Sequence, residues 1–508
     1  MNIDTNFKIE TDKNILDTYS TDASIFKIMP SGVAKIDSVE QVKYLIENKI
    51  KFSLRGAGTC MSGGSLTEEM LIDTLNLDKI ISQDEQSITT QPGIMTRDLL
   101  TYLEKSGQIF APYTSSKNLC SIGGMLGNNS SGEKSLMYGP TSKNVLELKV
   151  LLADNNIYHA KEKEIGWENN FEKEILKLII DNQEIIKNNK PHTHKNAAGY
   201  NIWDVIDFEK NTFNLSPLFI GAQGTLGFIT EAKLKTIKIQ KYNNMLVVPL
   251  EHIHDLPYVV QTMLNYKPTS VECFDNETYD LAKIHMARDA EHAILCKNKK
   301  IIIFVEFCSD DAEENISKLK SLQNEMHVAN INSYVLENEE ERSAYWNIRR
   351  ASFGLLRDFA PVGYKAIPII EDTIVSIEHY DNYLKELLEI IYKYDMRYTY
   401  AGHIGDGSIR LIPLVKIGKS EDENNMIKEN ILKMAEEVYA LVQKYKGSIS
   451  CDHNDGLARS YTLGTQYMPE ILEIFKKIKD ILDPDNIFNP GKKVYAESRD
   501  YVKSKINI

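Results

Sequence analysis

The first half of the chain changes between helix-like and strand-like spacing of its apolar residues. Residues 39–46 are apolar at helical spacing, and Ser38 followed by Gln41 forms a capping box in front of them. Residues 146–152 alternate between apolar and polar, as a half-buried strand does. This mixture predicts an α+β domain that ends near Lys238.

From residue 239 the pattern changes to short continuous apolar runs between long amphipathic segments. The runs at 246–250 and 301–307 are typical of buried strands. Strands interleaved with helices favour a sheet that helices cover on one face. The amphipathic helices that we predict span residues 256–266, 312–326, 379–394 and 421–445.

A weakly patterned segment, residues 183–196, interrupts the first domain. It is rich in Lys, Asn and His, which is typical of a solvated loop. His192 and His194 have a spacing that metal ligands use, but no carboxylate or cysteine cluster accompanies them. We therefore expect this segment to be a surface loop without a metal.

A glycine-rich loop between Gly56 and Gly64 follows a strand-like run at 51–54 and precedes another at 70–75. Its four glycines exclude a helix and free the backbone to turn N–H groups toward one point, which makes an anion site. Met61 occupies the place of the third glycine of a Rossmann fingerprint, and no helix follows the loop. The loop therefore predicts a nucleotide diphosphate held in a different fold.

Two further glycine motifs follow in order, at 121–132 and 220–227. Together with residues 55–64, they resemble the FAD-binding half of the vanillyl-alcohol oxidase superfamily. The resemblance is to the branch of FAD-linked oxidases and dehydrogenases that act on D-2-hydroxy acids. This chain departs from the family pattern at Ser121, where the family has threonine, and at Gln223, where it has an acidic residue.

The resemblance implies an α+β protein with two domains and FAD as cofactor. Residues 1–238 would form a PCMH-type FAD-binding domain of two subdomains, and residues 239–449 a substrate (cap) domain with an antiparallel sheet. Residues 450–508 would return to the FAD domain. FAD would be non-covalent, because the 55–64 loop offers no histidine to link it. The residues implied to bind it are Arg55, Gly56, Ala57, Gly58, Thr59, Gly63, Gly64, Pro112, Ser121, Gly123, Gly124, Gly127, Asn128, Ser131, Gly132, Gly224, Thr225, Gly227, Ile229 and Asn489.

The related dehydrogenases carry G-H-x-G-D-G-N-L-H and then E-H-G, in which both histidines of the first motif and the glutamate bind a divalent metal. The three positions are His403, Arg410 and Asp452 in this chain. Arginine stays protonated and cannot be a ligand, which leaves one ligand fewer than a catalytic zinc usually has. We therefore expect no metal, with His403 and Asp452 as the ligands that remain, and Arg410 doing by charge what the metal does.

Oxidation of an alcohol needs a base for the hydroxyl proton and an acceptor for the hydride. His453 matches the family histidine that takes this proton, and His403 is the next candidate. Arg349 matches the arginine that binds the substrate carboxylate. The predicted catalytic residues are therefore His453, His403, Arg349 and Arg410, with Lys365 a weaker candidate for substrate binding.

These residues predict a flavoprotein that oxidises a D-2-hydroxy acid of the lactate, glycolate or 2-hydroxyglutarate type to the 2-oxo acid. Electrons would leave to an external acceptor: a quinone, an electron-transfer flavoprotein or an iron–sulfur subunit. Two alternatives stay open. One is a non-redox FAD transferase similar to alkyl-glycerone-phosphate synthase, in which Arg410 would suit a phosphate. The other is a flavin-binding protein with altered activity.

Composition and net charge limit the kinds of molecule that this chain is expected to bind and the compartment in which it is expected to lie. A net charge of −13 over 508 residues argues against nucleic acid, which selects basic surfaces. The chain contains no run of about 18 apolar residues, so it predicts no transmembrane helix. Residues 1–13 are polar, which argues against a secretory signal. The six cysteines are scattered without a C-x-x-C pair, which is typical of reduced thiols and argues against an iron–sulfur cluster within the chain. We expect a cytoplasmic protein, with a homodimer and peripheral contact with the inner face of the membrane as open alternatives.

Overall fold

The computed structural model describes residues 8–508, so most of the polar segment that argues against a secretory signal lies outside the described residues. The first domain contains short strands and helices in alternation. They are, in chain order, β1 (Ile9–Glu10), α1 (Lys13–Tyr19), β2 (Gly32–Lys35), α2 (Val39–Glu47), β3 (Phe52–Arg55), β4 (Met70–Asp73), β5 (Ile80–Gln83), β6 (Ser87–Thr90), α3 (Thr96–Glu104), β7 (Gln108–Ile109), α4 (Ile122–Asn128), α5 (Ser135–Tyr138), β8 (Val145–Leu151), β9 (Ile157–Ala160), β10 (Lys163–Glu164), α6 (Asn170–Asp181), α7 (Gln183–Asn188), β11 (Ile206–Asp207), β12 (Thr212–Phe213), α8 (Ser216–Phe219), β13 (Phe228–Lys235) and β14 (Ile237–Lys238).

Two main sheets build this domain. The first has the strand order β1-β2-β4-β3, with β4 parallel to both of its neighbours, and the second is antiparallel with the order β5-β6-β13-β8-β9. Two small sheets, β10-β12-β11 and β14-β7, complete it. The predicted capping box is present in front of α2, where the Ser38 amide donates to Gln41 Oε1 at 3.2 Å. The glycine loop joins β3 to β4 at the edge of the first sheet.

The cap domain is built on one sheet of seven strands in the order β18-β15-β17-β16-β20-β21-β19, all paired antiparallel, so the predicted α+β class is confirmed. Its elements are β15 (Tyr242–Leu250), α9 (Leu256–Asn265), β16 (Ser270–Asp275), α10 (Asn276–His285), α11 (Ala287–His292), β17 (Ile301–Ser309), α12 (Ala312–Val328), β18 (Tyr334–Leu336), α13 (Glu339–Phe359), β19 (Tyr364–Ala366), α14 (Tyr380–Lys393), β20 (Arg397–Gly402), β21 (Arg410–Lys416) and α15 (Glu421–Lys444).

Helices cover this sheet on both faces, so the prediction of one covered face is wrong. Leu246 and Val248 of β15 belong to a core cluster with residues of α9 and α12. Met245 and Val247 of the same strand belong to a second cluster, with residues of α10, α11 and α13. A strand buried on both sides is apolar at every position, which explains the continuous apolar runs.

The C-terminal segment lies against the first domain. It contains α16 (Gly456–Arg459), α17 (Leu463–Gln466), α18 (Pro469–Leu482) and α19 (Arg499–Lys505). The Phe52 amide of β3 donates to Ile487 O at 3.0 Å, and the Asn489 amide donates to Phe52 O at 2.8 Å. The rings of Phe52 and Phe488 meet edge to face with centroids 5.3 Å apart. Residues 487–489 thus continue the first sheet beside β3.

No helix within residues 8–508 is both long enough and apolar enough to cross a membrane.

Candidate active site

A cavity of about 460 Å³ lies where the glycine loops of the first domain meet the cap domain and the C-terminal segment. One part of its wall comes from the loops at 54–65, 119–131 and 223–229. The other part comes from α13, β20, β21 and the turn at 452–453. The cavity therefore brings the predicted cofactor loops together with Arg349, Arg410 and His453, while His403 is absent from its lining.

The first glycine loop is fixed by the residue that ends β3. Arg55 Nη2 donates to Thr21 O at 2.9 Å, and Arg55 O accepts the Thr74 amide at 3.0 Å. Gly58 follows with φ +72°, in the left-handed region that favours glycine. A Cβ at Gly58 would lie 2.3 Å from Arg55 Nη2. A side chain at this position would therefore strain the backbone and displace the Arg55 guanidinium.

The second and third glycine motifs leave space for a ligand, and hydrogen bonds connect them to each other. Gly127 lines the cavity, and a Cβ built there would meet no atom closer than Gln223 Cα at 3.8 Å, so a side chain would take up cavity space. Gln223 Nε2 donates to Asn128 Oδ1 at 3.1 Å, and Gln223 Oε1 accepts the Gly456 amide at 2.8 Å. An acidic residue could not donate to Asn128. A glycine-lined space of this kind fits the phosphates and the flat rings of FAD.

Most residues that the resemblance assigns to the cofactor line this cavity: Arg55, Gly56, Ala57, Gly58, Thr59, Gly64, Ser121, Gly123, Gly124, Gly127, Asn128, Ser131, Gly224, Gly227 and Ile229. The lining does not include Gly63, Pro112, Gly132, Thr225 and Asn489. Asn489 instead supports the loops from behind, because its Nδ2 donates to Gly64 O at 2.9 Å and to Gln223 O at 2.8 Å. The assignment of each residue to FAD stays a prediction.

His453 presents one ring nitrogen to the cavity and binds the protein through the other. Its Nδ1 lies 2.9 Å from Glu371 Oε1, and its Nε2 lies 3.7 Å from Asp452 Oδ1. Burial raises the pKa of the Glu371 carboxyl, but Arg459 and His453 lower it more, so this pKa lies below its usual value. A Glu371 carboxylate therefore accepts Nδ1–H and leaves Nε2 as the proton acceptor.

The backbone of the His453 turn is held by Asp372. Asp372 Oδ1 accepts the Asp452 amide at 2.9 Å, and both carboxyl oxygens accept the His453 amide at 3.0 Å. The Ser62 hydroxyl donates to His453 O at 3.0 Å and so connects this turn to the first glycine loop. The imidazole is thus placed by main-chain bonds as well as by Glu371.

Arg349 lies in the cavity wall and shares Glu272 with His403. Arg349 Nε donates to Glu272 Oε2 at 2.9 Å, and His403 Nδ1 lies 2.6 Å from Glu272 Oε1. Burial raises the pKa of Glu272 to about 8, so this carboxyl only partly neutralises Arg349 at neutral pH. Arg349 Nη2 is buried without a hydrogen-bond partner among residues 8–508. The arginine therefore has charge and a donor left for an anion in the cavity.

His403 is not a second candidate cation. Burial, together with the positive charges of Lys195 and Arg410, holds its pKa well below the usual value for histidine. Its Nε2 points toward Asp452 Oδ2 at 3.8 Å. The ring is therefore neutral at neutral pH and connects Glu272 to Asp452.

Arg410, at the start of β21, lines the cavity beside His453. Its Nη2 lies 2.5 Å from Asp452 Oδ2. Lys195 reaches the same carboxyl oxygen at 3.7 Å and Asp406 Oδ2 at 2.9 Å.

The predicted surface loop at 183–196 is therefore wrong in two respects: residues 183–188 form α7, and the Lys195 side chain is 0% exposed. The carboxylates of Asp406 and Asp452 compensate the cost of burying its ammonium.

The residues of this site that escaped prediction include Lys195, Glu272, Glu371 and Asp372. Glu272 lies between the apolar residues Val271 and Cys273 of β16, and Glu371 with Asp372 follows an apolar run, so a charge among apolar residues was a usable signal at both places. Lys195 lies in a Lys-rich and Asn-rich stretch and carried no such signal.

Two other basic residues lie apart from this chemistry. Arg350 lines the cavity, but it makes a bidentate ion pair with Glu133, at 2.7 and 2.8 Å. Lys365 Nζ donates to Asn507 O at 2.5 Å and is absent from the cavity lining. The structure therefore does not bring Lys365 to the other candidates.

Two family models match this chain. FAD linked oxidases, C-terminal domain, matches residues 239–493, and FAD binding domain matches residues 30–161. The chain belongs to the FAD-linked oxidases. The prediction of FAD as the cofactor is confirmed, while its non-covalent attachment stays a prediction.

Relatives and a solved structure agree with this membership. D-2-hydroxyglutarate dehydrogenase of Pantoea ananatis (strain AJ13355) is 26% identical over 504 residues, which cover 93% of this chain and 49% of that protein. Glycolate oxidase subunit GlcD of Bacillus subtilis (strain 168) is 25% identical over 496 residues, covering 95% and 93%. The chain thus spans about half the length of the first of these relatives. The crystal structure of p-cresol methylhydroxylase is 14% identical with a TM-score of 0.69, covering 96% of this chain and 94% of that one, and it confirms the PCMH-type fold.

Acid precipitation of this FAD-linked oxidase should release its flavin into a yellow supernatant. Cys60 lines the cavity, but burial raises the pKa of its thiol above the usual value, and a thiol is a far weaker nucleophile than a thiolate. Absorbance of supernatant and pellet checks the result. Flavin that stays with the pellet would contradict it, and Cys60→Ser and Cys120→Ser would then show which cysteine holds it.

Glu371→Gln should slow flavin reduction by about ten- to hundredfold, because the neutral amide no longer stabilises a protonated His453. Rapid-mixing absorbance of the bound flavin measures the rate, and its spectrum shows that FAD remains. Glu378→Gln, an exposed position seven residues along, is the matched control. Equal rates in both variants would show that Glu371 does not act through His453.

Proposed function

We propose that this chain oxidises a D-2-hydroxy acid to the 2-oxo acid, with FAD as the hydride acceptor. The observation that supports this most strongly is the shared cavity, in which His453, Arg349 and Arg410 face the glycine loops of the first domain. A base and two cations beside a flavin site match what the oxidation of a hydroxy acid anion requires.

FAD, when bound, supplies the acceptor for the hydride of the substrate C–H bond. Arg349 and Arg410 bind the substrate carboxylate, for which a guanidinium offers paired donors. His453 Nε2 takes the hydroxyl proton as the C–H bond breaks, so the alcohol loses one proton and one hydride. Glu371, 2.9 Å from Nδ1, and Asp452, 3.7 Å from Nε2, stabilise the imidazolium that results.

Electrons leave, in this proposal, to a separate acceptor such as a quinone, an electron-transfer flavoprotein or an iron–sulfur subunit. We place the protein in the cytoplasm as part of the same proposal. The choice among lactate, glycolate and 2-hydroxyglutarate is left to the experiment, because relatives near 25% identity carry different substrate names.

Anaerobic mixing with the D and L forms of lactate and 2-hydroxyglutarate, and with glycolate, tests the proposal. Bleaching of the visible flavin absorbance by a D acid, and not by its L form, is the expected result. The reductive step needs no electron acceptor, so the test uses this chain alone. If no acid bleaches a flavin that dithionite can reduce, the proposal is wrong, and substrate exchange without bleaching would favour the transferase alternative.

A further inference from the structure

One oxygen of Asp452 is surrounded by donors and cations. Arg410 Nη2 lies 2.5 Å from Asp452 Oδ2, and the Ser131 hydroxyl donates to it at 3.2 Å. Lys195 Nζ lies 3.7 Å and His403 Nε2 3.8 Å from the same oxygen. Asp452 is a carboxylate with two cations fixed beside it.

The Lys195 ammonium is bound by three side-chain oxygen atoms. Its Nζ lies 2.9 Å from Asp406 Oδ2, and it donates to Ser131 Oγ at 2.9 Å and to Ser135 Oγ at 3.4 Å. An ammonium has three donors, and these three oxygens match them. The ammonium therefore lies between the carboxyl groups of Asp406 and Asp452.

The side chains present do not fit the divalent metal that the family resemblance implies. Of the three ligand positions, one holds the Arg410 guanidinium, which cannot coordinate an ion and is bound to the ligand oxygen itself. Lys195 adds a second positive charge against the same carboxylate. Both charges repel a divalent cation strongly in a buried site.

A second set of metal-ligand residues, Asp372, Cys451 and Asp452, lies close together and is equally unsuited. Asp372 is occupied by the backbone amides of Asp452 and His453. The Cys451 thiol donates to Asp372 Oδ1 at 3.3 Å, so its sulfur carries the proton of that hydrogen bond. A protonated thiol is not a metal ligand.

We propose that the Lys195 ammonium and the Arg410 guanidinium together replace the divalent metal of this site. Lys195 is the positioning residue: it joins Asp406 to Asp452, and Asp452 in turn fixes Arg410 in the cavity wall. The role of Arg410 toward substrate rests on the proposed function, but the absence of metal affinity does not. A metal would ionise a bound hydroxyl directly, whereas the Arg410 guanidinium binds the substrate carboxylate, so removal of the hydroxyl proton depends on His453.

Zinc titration of the FAD-loaded protein by calorimetry, with metal analysis after gel filtration, tests the proposal. The native protein should bind no zinc at the site and should keep its activity in chelator. Arg410→His completes a ligand set with His403 and Asp452 and should bind zinc weakly, because Lys195 remains. Adding Lys195→Met should tighten zinc binding about tenfold or more, because one repelling charge is removed.

The controls separate charge from general disruption. Lys190→Met with Arg410→His removes an exposed lysine that pairs with Asp204, so its zinc affinity should equal that of Arg410→His alone. Lys195→Arg with Arg410→His keeps the charge and should also leave the affinity unchanged. If the variant with Lys195→Met does not fold with FAD, the variant with Lys195→Arg tests the proposal instead.

Near-stoichiometric zinc or manganese on the native protein, restored activity on adding metal after chelator, or tighter binding with Lys195→Arg would overturn the proposal. Equal zinc affinity with and without Lys195→Met would do the same. Because the titration uses no substrate, its failure leaves the proposed function standing. If no acid of the substrate panel bleaches the flavin, the result of the zinc titration still holds.

Discussion

His453→Asn should slow flavin reduction by a D-2-hydroxy acid by about two orders of magnitude or more, the usual contribution of a general base. FAD should stay bound, because the turn is held by backbone bonds to Asp372 and Ser62 that asparagine keeps. The amide cannot take the hydroxyl proton at neutral pH. Rapid anaerobic mixing, followed by the visible absorbance of the flavin, measures the rate directly.

His159→Asn is the matched control, because His159 is exposed and pairs with Glu147. It should reduce its flavin at the native rate. If His453→Asn also does so, the base lies elsewhere, and His403→Asn is the next variant to measure.

Arg349→Lys should weaken substrate binding by about 10- to 150-fold with a smaller effect on the rate at saturating substrate. Lysine can keep the contact with Glu272 that Arg349 Nε makes at 2.9 Å, but it loses the second nitrogen that has no partner among the described residues. A charge-assisted hydrogen bond contributes about 1.5–3 kcal/mol, which converts to that range of affinity. The substrate dependence of the rate of flavin reduction separates binding from chemistry.

Arg342→Lys, on the same helix, is its control, since Arg342 pairs with Glu339 and lies outside the cavity lining. Its substrate dependence should match that of the native protein. A loss in Arg349→Lys that falls wholly on the saturated rate would contradict a role in binding the carboxylate.

The fold was predictable where local pattern and burial agree. The capping box at Ser38, the alternation at 146–152 and the apolar run at 301–307 each predict the element that forms. The second covered face of the cap sheet was not predictable from these runs alone. A continuous apolar strand reports burial on both sides, but it does not say which helices supply the second layer.

The predicted catalytic residues lie near one another, but the contacts that set their charge were not predictable. Glu272 meets His403 across 131 positions of sequence, and Glu371 meets His453 across 82. Such pairings follow from sheet order and from the return of the C-terminal segment, which no local pattern encodes. Lys195 is the clearest case, since only tertiary structure distinguishes it from the exposed lysines nearby.

The proposed reaction removes a hydride and a proton from a D-2-hydroxy acid. Anaerobic titration of the native protein with the active D acid tests it most directly, with the 2-oxo acid assayed in the same sample. We predict that one equivalent of acid per FAD bleaches the flavin fully and yields one equivalent of 2-oxo acid. A flavin that dithionite reduces, but that excess D acid leaves oxidised with no 2-oxo acid formed, would show that this chain does not catalyse the reaction.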